Sequence, residues 1–108
     1  MRRGEIWTGA AGKGYAGKPR PVVIVQDERL SIDSITTCGF TSDDTEAPLL
    51  HLLVMPSAKN GLREPSRVMV DKIMTVPRAK LRYRIGRLDD GDMLRLERAM
   101  MTFLGLTG

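Results

Sequence analysis

The residues with the most definite chemical capacity in this 108-residue chain are a basic and hydroxyl set: Lys18, Arg20, Thr41, Ser42, Arg63, Arg67, Asp71 and Lys72. An arginine presents a planar fork of donors that matches a phosphate, and hydroxyls at a turn add further donors, so the set suits a phosphate ligand. Arg20 has the stiffest mount. Pro19 and Pro21 flank it, restrict it to extended geometry and remove the neighbouring backbone donors, and the apolar run Val22 to Val25 follows at once. An ion pair that pins the loop is the competing reading of the same side chain.

Other chemistries are poorly served. The one histidine, His51, lies within Leu-Leu-His-Leu-Leu, which excludes a two-histidine acid/base pair and reads as a strand or interface histidine. Cys38 is alone, so no intramolecular disulfide can form, and its place in a strand pattern marks a small core residue rather than a nucleophile. Asp43 and Asp44 have no third carboxylate at ligand spacing and read as a solvated turn. No metal or cofactor is expected.

With 42% hydrophobic and 28% charged residues, the composition fits one globular domain over residues 1–108. The apolar runs Val22 to Val25 and Leu49 to Met55 are too short to span a bilayer, and the amino terminus lacks the apolar stretch of a signal peptide. A cytoplasmic location is expected. A formal charge of +4 and a pI of about 9.6 favour an anionic partner, nucleic acid or an acidic polypeptide.

The elements that must position the basic set follow from periodicity. Strands are expected at Glu5 to Thr8, Pro21 to Gln26, Ser34 to Phe40, Leu49 to Pro56 and Ser66 to Ile73, with Asn60-Gly61 as a turn before the last. Pro21 to Gln26 has the pattern of a strand buried on both faces. The segment from Gly9 to Gly17 carries four glycines and reads as a loop. Met93, Leu96, Met100, Phe103 and Leu104 recur at helical spacing; Asp89, Asp90 and Asp92 suit the helix start and Gly105 its end. A small, mainly β sheet or barrel closed by a terminal helix is the result.

The segments "RRGEIWTGAAGKGYAGKPRPVVIVQD", "SITTCGFTSDD", "SRVMVDKIMTVPRAKLRYRIGRLDD" and the terminal "FLGL" resemble the MazF/PemK toxins of bacterial toxin–antitoxin systems, in the same order along nearly the whole chain. The resemblance implies an SH3-like β-barrel of the CcdB/PemK type, a homodimer, and an endoribonuclease that cuts single-stranded RNA at short sequences. It also implies neutralisation by an antitoxin with an acidic tail. Position by position, Arg20 matches the family's catalytic arginine, Thr41 its catalytic threonine with Ser42 beside it, and Asp71 the aspartate of the "DQ" motif. Two departures stand out: Lys72 replaces the glutamine, and Met69 takes the place where some members carry an arginine acid. Since Arg67, Met69 and Asp71 alternate by two, they are expected on one face, which lets Arg67 substitute.

The available groups and the resemblance together imply metal-free cleavage. The RNA 2′-hydroxyl would act as internal nucleophile and leave a 2′,3′-cyclic phosphate and a 5′-hydroxyl. Arg20 would stabilise the phosphorane, Thr41 and Ser42 would bond the phosphate, and Asp71 or a phosphate-bound water would take the 2′ proton. Lys18, Arg63, Arg67 and Lys72 would hold flanking phosphates, and Tyr15 or Trp7 would stack on a base. The competing readings are a catalytically weak RNA- or antitoxin-binding homologue and a CcdB-like gyrase poison. The latter activity is associated with a tryptophan near the carboxy terminus, where this chain has Phe103-Leu-Gly-Leu-Thr-Gly.

Overall fold

Runs of β-branched and apolar residues set the strands, and a change of period sets the helix. The computed structural model describes residues 1–9, 20–47 and 49–106. In chain order the elements are β1 Glu5–Gly9, β2 Pro21–Ile24, β3 Ser34–Thr41, β4 His51–Val54, β5 Ser66–Pro77, β6 Leu81–Arg87 and α1 Asp90–Phe103. The strands form one antiparallel sheet in the order β4-β5-β3-β2-β1-β6. The mainly β class with a terminal helix is as expected. Four elements depart by two residues or more: β2 and β4 are shorter, β5 runs on to Pro77, and β6 had no counterpart among the expected strands. Among the described residues no helix is long and apolar enough to cross a membrane.

The two edge strands, β4 and β6, are not paired with each other, so the sheet does not close as a ladder. The connection after β4 bridges the gap instead. The Arg87 N–H donates to the Lys59 carbonyl at 3.0 Å. Gly61 has φ +69°, and a Cβ there would lie 2.0 Å from the Ile85 carbonyl oxygen; a Cβ on Gly86 would lie 2.4 Å from the Asn60 carbonyl. Only glycine permits this approach of two backbones. Asn60, 3% exposed, fixes the turn from within. Its Oδ1 accepts from the Ser57 and Leu62 N–H groups at 3.0 and 2.9 Å, and its Nδ2 donates to the Met55 carbonyl at 2.8 Å.

Each face of the sheet has its own apolar cluster. On one, Ile6, Val23, Cys38, Phe40, Val54, Val68 and Val70 pack with Leu88 and Leu96, the last from α1. On the other, Ile24, Ile35 and Leu81 pack with Trp7, Val22 and Val76. Burial of Val23, Ile24 and Val25 in succession agrees with a central strand covered on both sides. The Asp89 carboxylate caps α1 by accepting from the Asp92 N–H at 2.7 Å. Arg3 ties the helix to the sheet, donating to Glu97 at 2.7 Å and to the Val25 carbonyl at 3.1 Å.

Glu5 joins β1 to β6. It accepts from the Arg2 N–H at 2.9 Å and the Trp7 indole N–H at 3.0 Å, and pairs with Arg84 at 3.3 Å. Burial pushes its carboxyl up, but those three groups and the amino terminus outweigh burial and hold it below its ordinary 4.5. Cys38 lies fully buried in the first cluster, and burial with the nearby Asp71 charge pushes its thiol up to about 11.

Three outcomes follow from this packing. Gly61→Ala is expected to cost about 2–4 kcal/mol in urea unfolding, from positive-φ strain and overpacking against Ile85; a loss under 0.5 kcal/mol would contradict the contact. Because the Glu5 carboxyl is depressed in the fold, its stabilisation is present above 4.5 and lost as pH falls through the lower native value. Glu5→Gln is therefore expected to be less stable at neutral pH, by about 1–2 kcal/mol, with the gap narrowing in acid. Cys38 should react with a thiol reagent at about pH 8 only at the rate of opening, and promptly once unfolded in urea.

Candidate active site

Strand register places the first two site residues. Val22 pairs with Gly39, so continuing the antiparallel register by two residues sets Arg20 opposite Thr41. Thr41 in turn pairs with Arg67 on β5. The row Arg20, Thr41, Arg67 thus crosses three adjacent strands at one end of the sheet. There the first core opens into a groove of about 950 Å³, whose lining includes Thr8, Arg20, Phe40, Thr41, Ser42 and Arg63. A neighbouring hollow of about 350 Å³ is lined by Arg20, Phe40, Thr41, Ser42, Asp43 and Met69. Arg20, Phe40, Thr41 and Ser42 border both and form the ridge between them.

Thr41 and the turn beside the ridge are held by hydrogen bonds. Thr41 Oγ1 accepts from the Asp43 N–H at 3.1 Å, which orients the hydroxyl and leaves its hydrogen to donate outward. Asp43 accepts from the Thr45 hydroxyl at 2.7 Å and the Thr45 N–H at 2.9 Å, and these two bonds hold its carboxyl below the ordinary 3.8. Arg67 contacts the Asp43 carbonyl and the Glu46 carboxylate, each at 3.4 Å. Its side chain, 15% exposed, braces the turn after β3.

Asp71 has a different setting. Its Oδ1 lies 3.4 Å from His51 Nε2 on β4. That contact falls short of hydrogen-bond geometry: Asp71 Oδ1 and His51 Nδ1 are both buried without a partner among the described residues. Neither residue lines the groove or the hollow. Val68 and Val70 turn into the core, which leaves Arg67 and Met69 on the opposite face, with His51 paired to Met69. Met69, lining the hollow, stands between Thr41 and Asp71, which is roughly 7 Å further along the strand.

Of the remaining candidates, Ser42 and Arg63 line the groove, and Lys72 is exposed on β5 outside its lining. Lys18 and Tyr15 lie outside the described residues, as does Pro19. Trp7 is packed in the second core and bonded to Glu5, so it is not a free stacking ring. The sequence reading missed Thr8, Leu62 and Glu64, which also line the groove. They come from β1 and from the connection into β5, and no motif marks them. Among the described residues no three His, Cys, Asp or Glu side chains form a group that could hold a metal ion.

The family model described as "PemK-like, MazF-like toxin of type II toxin-antitoxin system" matches residues 2–104. A probable endoribonuclease MazF of Mycolicibacterium smegmatis is 50% identical, with the whole of both chains covered. Among solved structures, an endoribonuclease in complex with its cognate antitoxin from a mycobacterial species superposes with a TM-score of 0.82 at 22% identity, covering 100% of this chain and 98% of that one. Mycobacterium tuberculosis toxin MazF-mt6 superposes with a TM-score of 0.76 at 26% identity, covering 94% and 96%. With its full length matched by the family's sequences and its sheet by their structures, the chain belongs to the PemK-like, MazF-like toxins of type II toxin–antitoxin systems.

Proposed function

We propose that this toxin is a metal-independent endoribonuclease that cuts single-stranded RNA at a short recognised sequence, with the scissile phosphate on the ridge of Arg20, Thr41 and Ser42. The observation that supports it most is that these three side chains, from the lead-in to β2, the end of β3 and the residue after it, border the same groove. The mycobacterial relative named a probable endoribonuclease supports the same activity.

No protein nucleophile is needed. The 2′-oxygen attacks phosphorus and the P–O5′ bond breaks. A 2′,3′-cyclic phosphate remains, and the 5′-oxygen takes a proton from solvent. Arg20 offsets the charge that grows on the non-bridging oxygens, while the outward Thr41 hydroxyl and Ser42 fix the phosphate. Two acceptors suit the 2′ proton: a phosphate-bound water, and Asp71, which reaches the 2′-hydroxyl only when the flexible Met69 side chain swings aside. Arg63 holds a flanking phosphate at the groove wall, and Lys72 and Arg67 add positive charge.

The same reading gives the protein two polypeptide partners. A cognate antitoxin with an acidic segment competes for the basic groove, in keeping with the related endoribonuclease solved with its antitoxin. A second copy covers the apolar surface of β4 and α1, where Leu53, Met55, Leu94 and Met101 are 39%, 60%, 47% and 43% exposed. The competing reading, a catalytically weak binder of RNA or antitoxin, rests on Met69 in the place of an acid.

One digestion separates these readings. Purified protein and a long single-stranded RNA in EDTA are expected to give discrete fragments with 2′,3′-cyclic phosphate and 5′-hydroxyl ends. Arg20→Ala is expected to cut on the order of a hundred- to thousandfold more slowly, the scale of losing one preorganised donor. Asp71→Asn tells the two proton acceptors apart, because only a direct role for Asp71 makes that variant comparably slow. Cleavage at the full rate by Arg20→Ala, or none without added metal, would contradict the proposal.

A further inference from the structure

We propose that Tyr83 is a stacking platform for an unpaired base next to the cleaved phosphate, and so a specificity-determining residue of the groove; this rests on the ribonuclease reading above. Tyr83 lies on the edge strand β6 and is 62% exposed. It pairs directly with Thr8 on β1, which places their Cβ atoms about 5 Å apart on the same face. Thr8 lines the groove, and so does Ile85, two residues along β6. Tyr83 is outside the lining itself, so the phenol ring stands at the groove's rim, beside Thr8 and on the strand that carries Ile85.

The other described aromatic rings do not compete for this role. Phe40 is buried in the core. Trp7 packs in the second cluster with its N–H given to Glu5. Phe103 is on α1, which packs against β4 and β5 at the other side of the sheet. Tyr83 belongs to neither apolar cluster, so packing gives no reason for a large apolar ring at this position.

The groove completes a site for a single strand. Arg84 points to the opposite face, where it pairs with Trp7 and bonds the Glu5 carboxylate at 3.3 Å, but Arg20 and Arg63 line the groove that Tyr83 borders, and Arg82 beside it is exposed. An aromatic face beside a cationic groove is the arrangement that binds unpaired nucleotides, the ring taking the base and the groove's guanidinium groups tracking the backbone. Pairing to β1 on one side keeps the strand, and hence the ring, in a fixed position before RNA arrives. A ring at the rim rather than on the ridge touches a base flanking the cleaved bond. It then governs which sequences are held, while Arg20 and Thr41 govern cleavage.

The test uses two oligoribonucleotides protected by 2′-O-methyl at the scissile nucleotide. The longer contains a cleavage sequence mapped with the wild-type protein and its flanks. The shorter ends at the scissile step on the side that would reach β6; both ends are trimmed in turn to find that side. Binding is followed by fluorescence anisotropy. Tyr83→Ala is expected to weaken the longer RNA about tenfold and leave the shorter unchanged, and Tyr83→Phe is expected to bind as wild type, since the ring and not the hydroxyl stacks. Equal binding of the longer RNA by wild type and Tyr83→Ala, or a loss in Tyr83→Phe equal to that in Tyr83→Ala, would overturn the inference while wild-type cleavage leaves the ribonuclease reading standing. A wild-type protein that neither binds nor cuts RNA would overturn both. Loss of binding to an acidic peptide alone, with RNA binding intact, would assign the ring to a polypeptide and overturn it too.

Discussion

Two backbones meet at Gly61 and Gly86 with no room for a side chain on either, and the shape of the functional end of the sheet follows from that contact. An antiparallel sheet of six strands has two unpaired edges to satisfy. Here the turn centred on Asn60 lies along β6 and covers part of one of them, with one backbone hydrogen bond from Arg87 to Lys59. The same turn carries Gly61, Leu62 and Arg63 to the side of the groove facing Arg20. Covering the β6 edge and walling the groove are therefore one structural event, and Asn60 is buried because its amide replaces the partners the turn would otherwise lack.

Given that wall, the chemistry is a matter of register. A central strand buried on both faces cannot slip without exposing valines, so the pairing of Val22 with Gly39 is fixed. Arg20 and Thr41, just outside the buried stretch, inherit that precision without being buried themselves. The site needs no metal cluster or nucleophile to be coherent as a phosphate site. In the proposed reaction the substrate carries its own nucleophile, for which a cation and an oriented hydroxyl suffice, and Asp43 restrains the turn through Thr41 and Thr45. Arg67 has given up part of its freedom to the same turn, which makes it a brace more than a reserve acid.

Much of this was legible in the sequence. β-branched runs gave β2 and β3, and the three aspartates and Gly105 bounded α1. What escaped has physical causes. In β6, Arg82, Arg84 and Arg87 interrupt the apolar residues, which suits an edge strand facing water but hides it from a search for apolar alternation. β4 stops short because the N–H groups of Leu50 and His51 both turn back to the Ala47 carbonyl. The irregular pairing where β3 advances from Cys38 to Phe40 while β5 passes from Ile73 to Val68 turns Ile73 into the same core as Val68 and Val70. Simple alternation cannot foresee such a bulge. Tyr83 escaped for the same reason as β6, since its partner Thr8 is known only from the pairing.

The most direct test of where substrate lies is an amide chemical-shift map of isotope-labelled protein titrated with a non-cleavable, 2′-O-methylated oligoribonucleotide. A groove site predicts the largest shifts at Thr41, Ser42, Gly61, Leu62 and Arg63, with little change along the exposed face of α1. Shifts concentrated on Leu94, Met101 and their neighbours, with Thr41 and Gly61 unmoved, would contradict it.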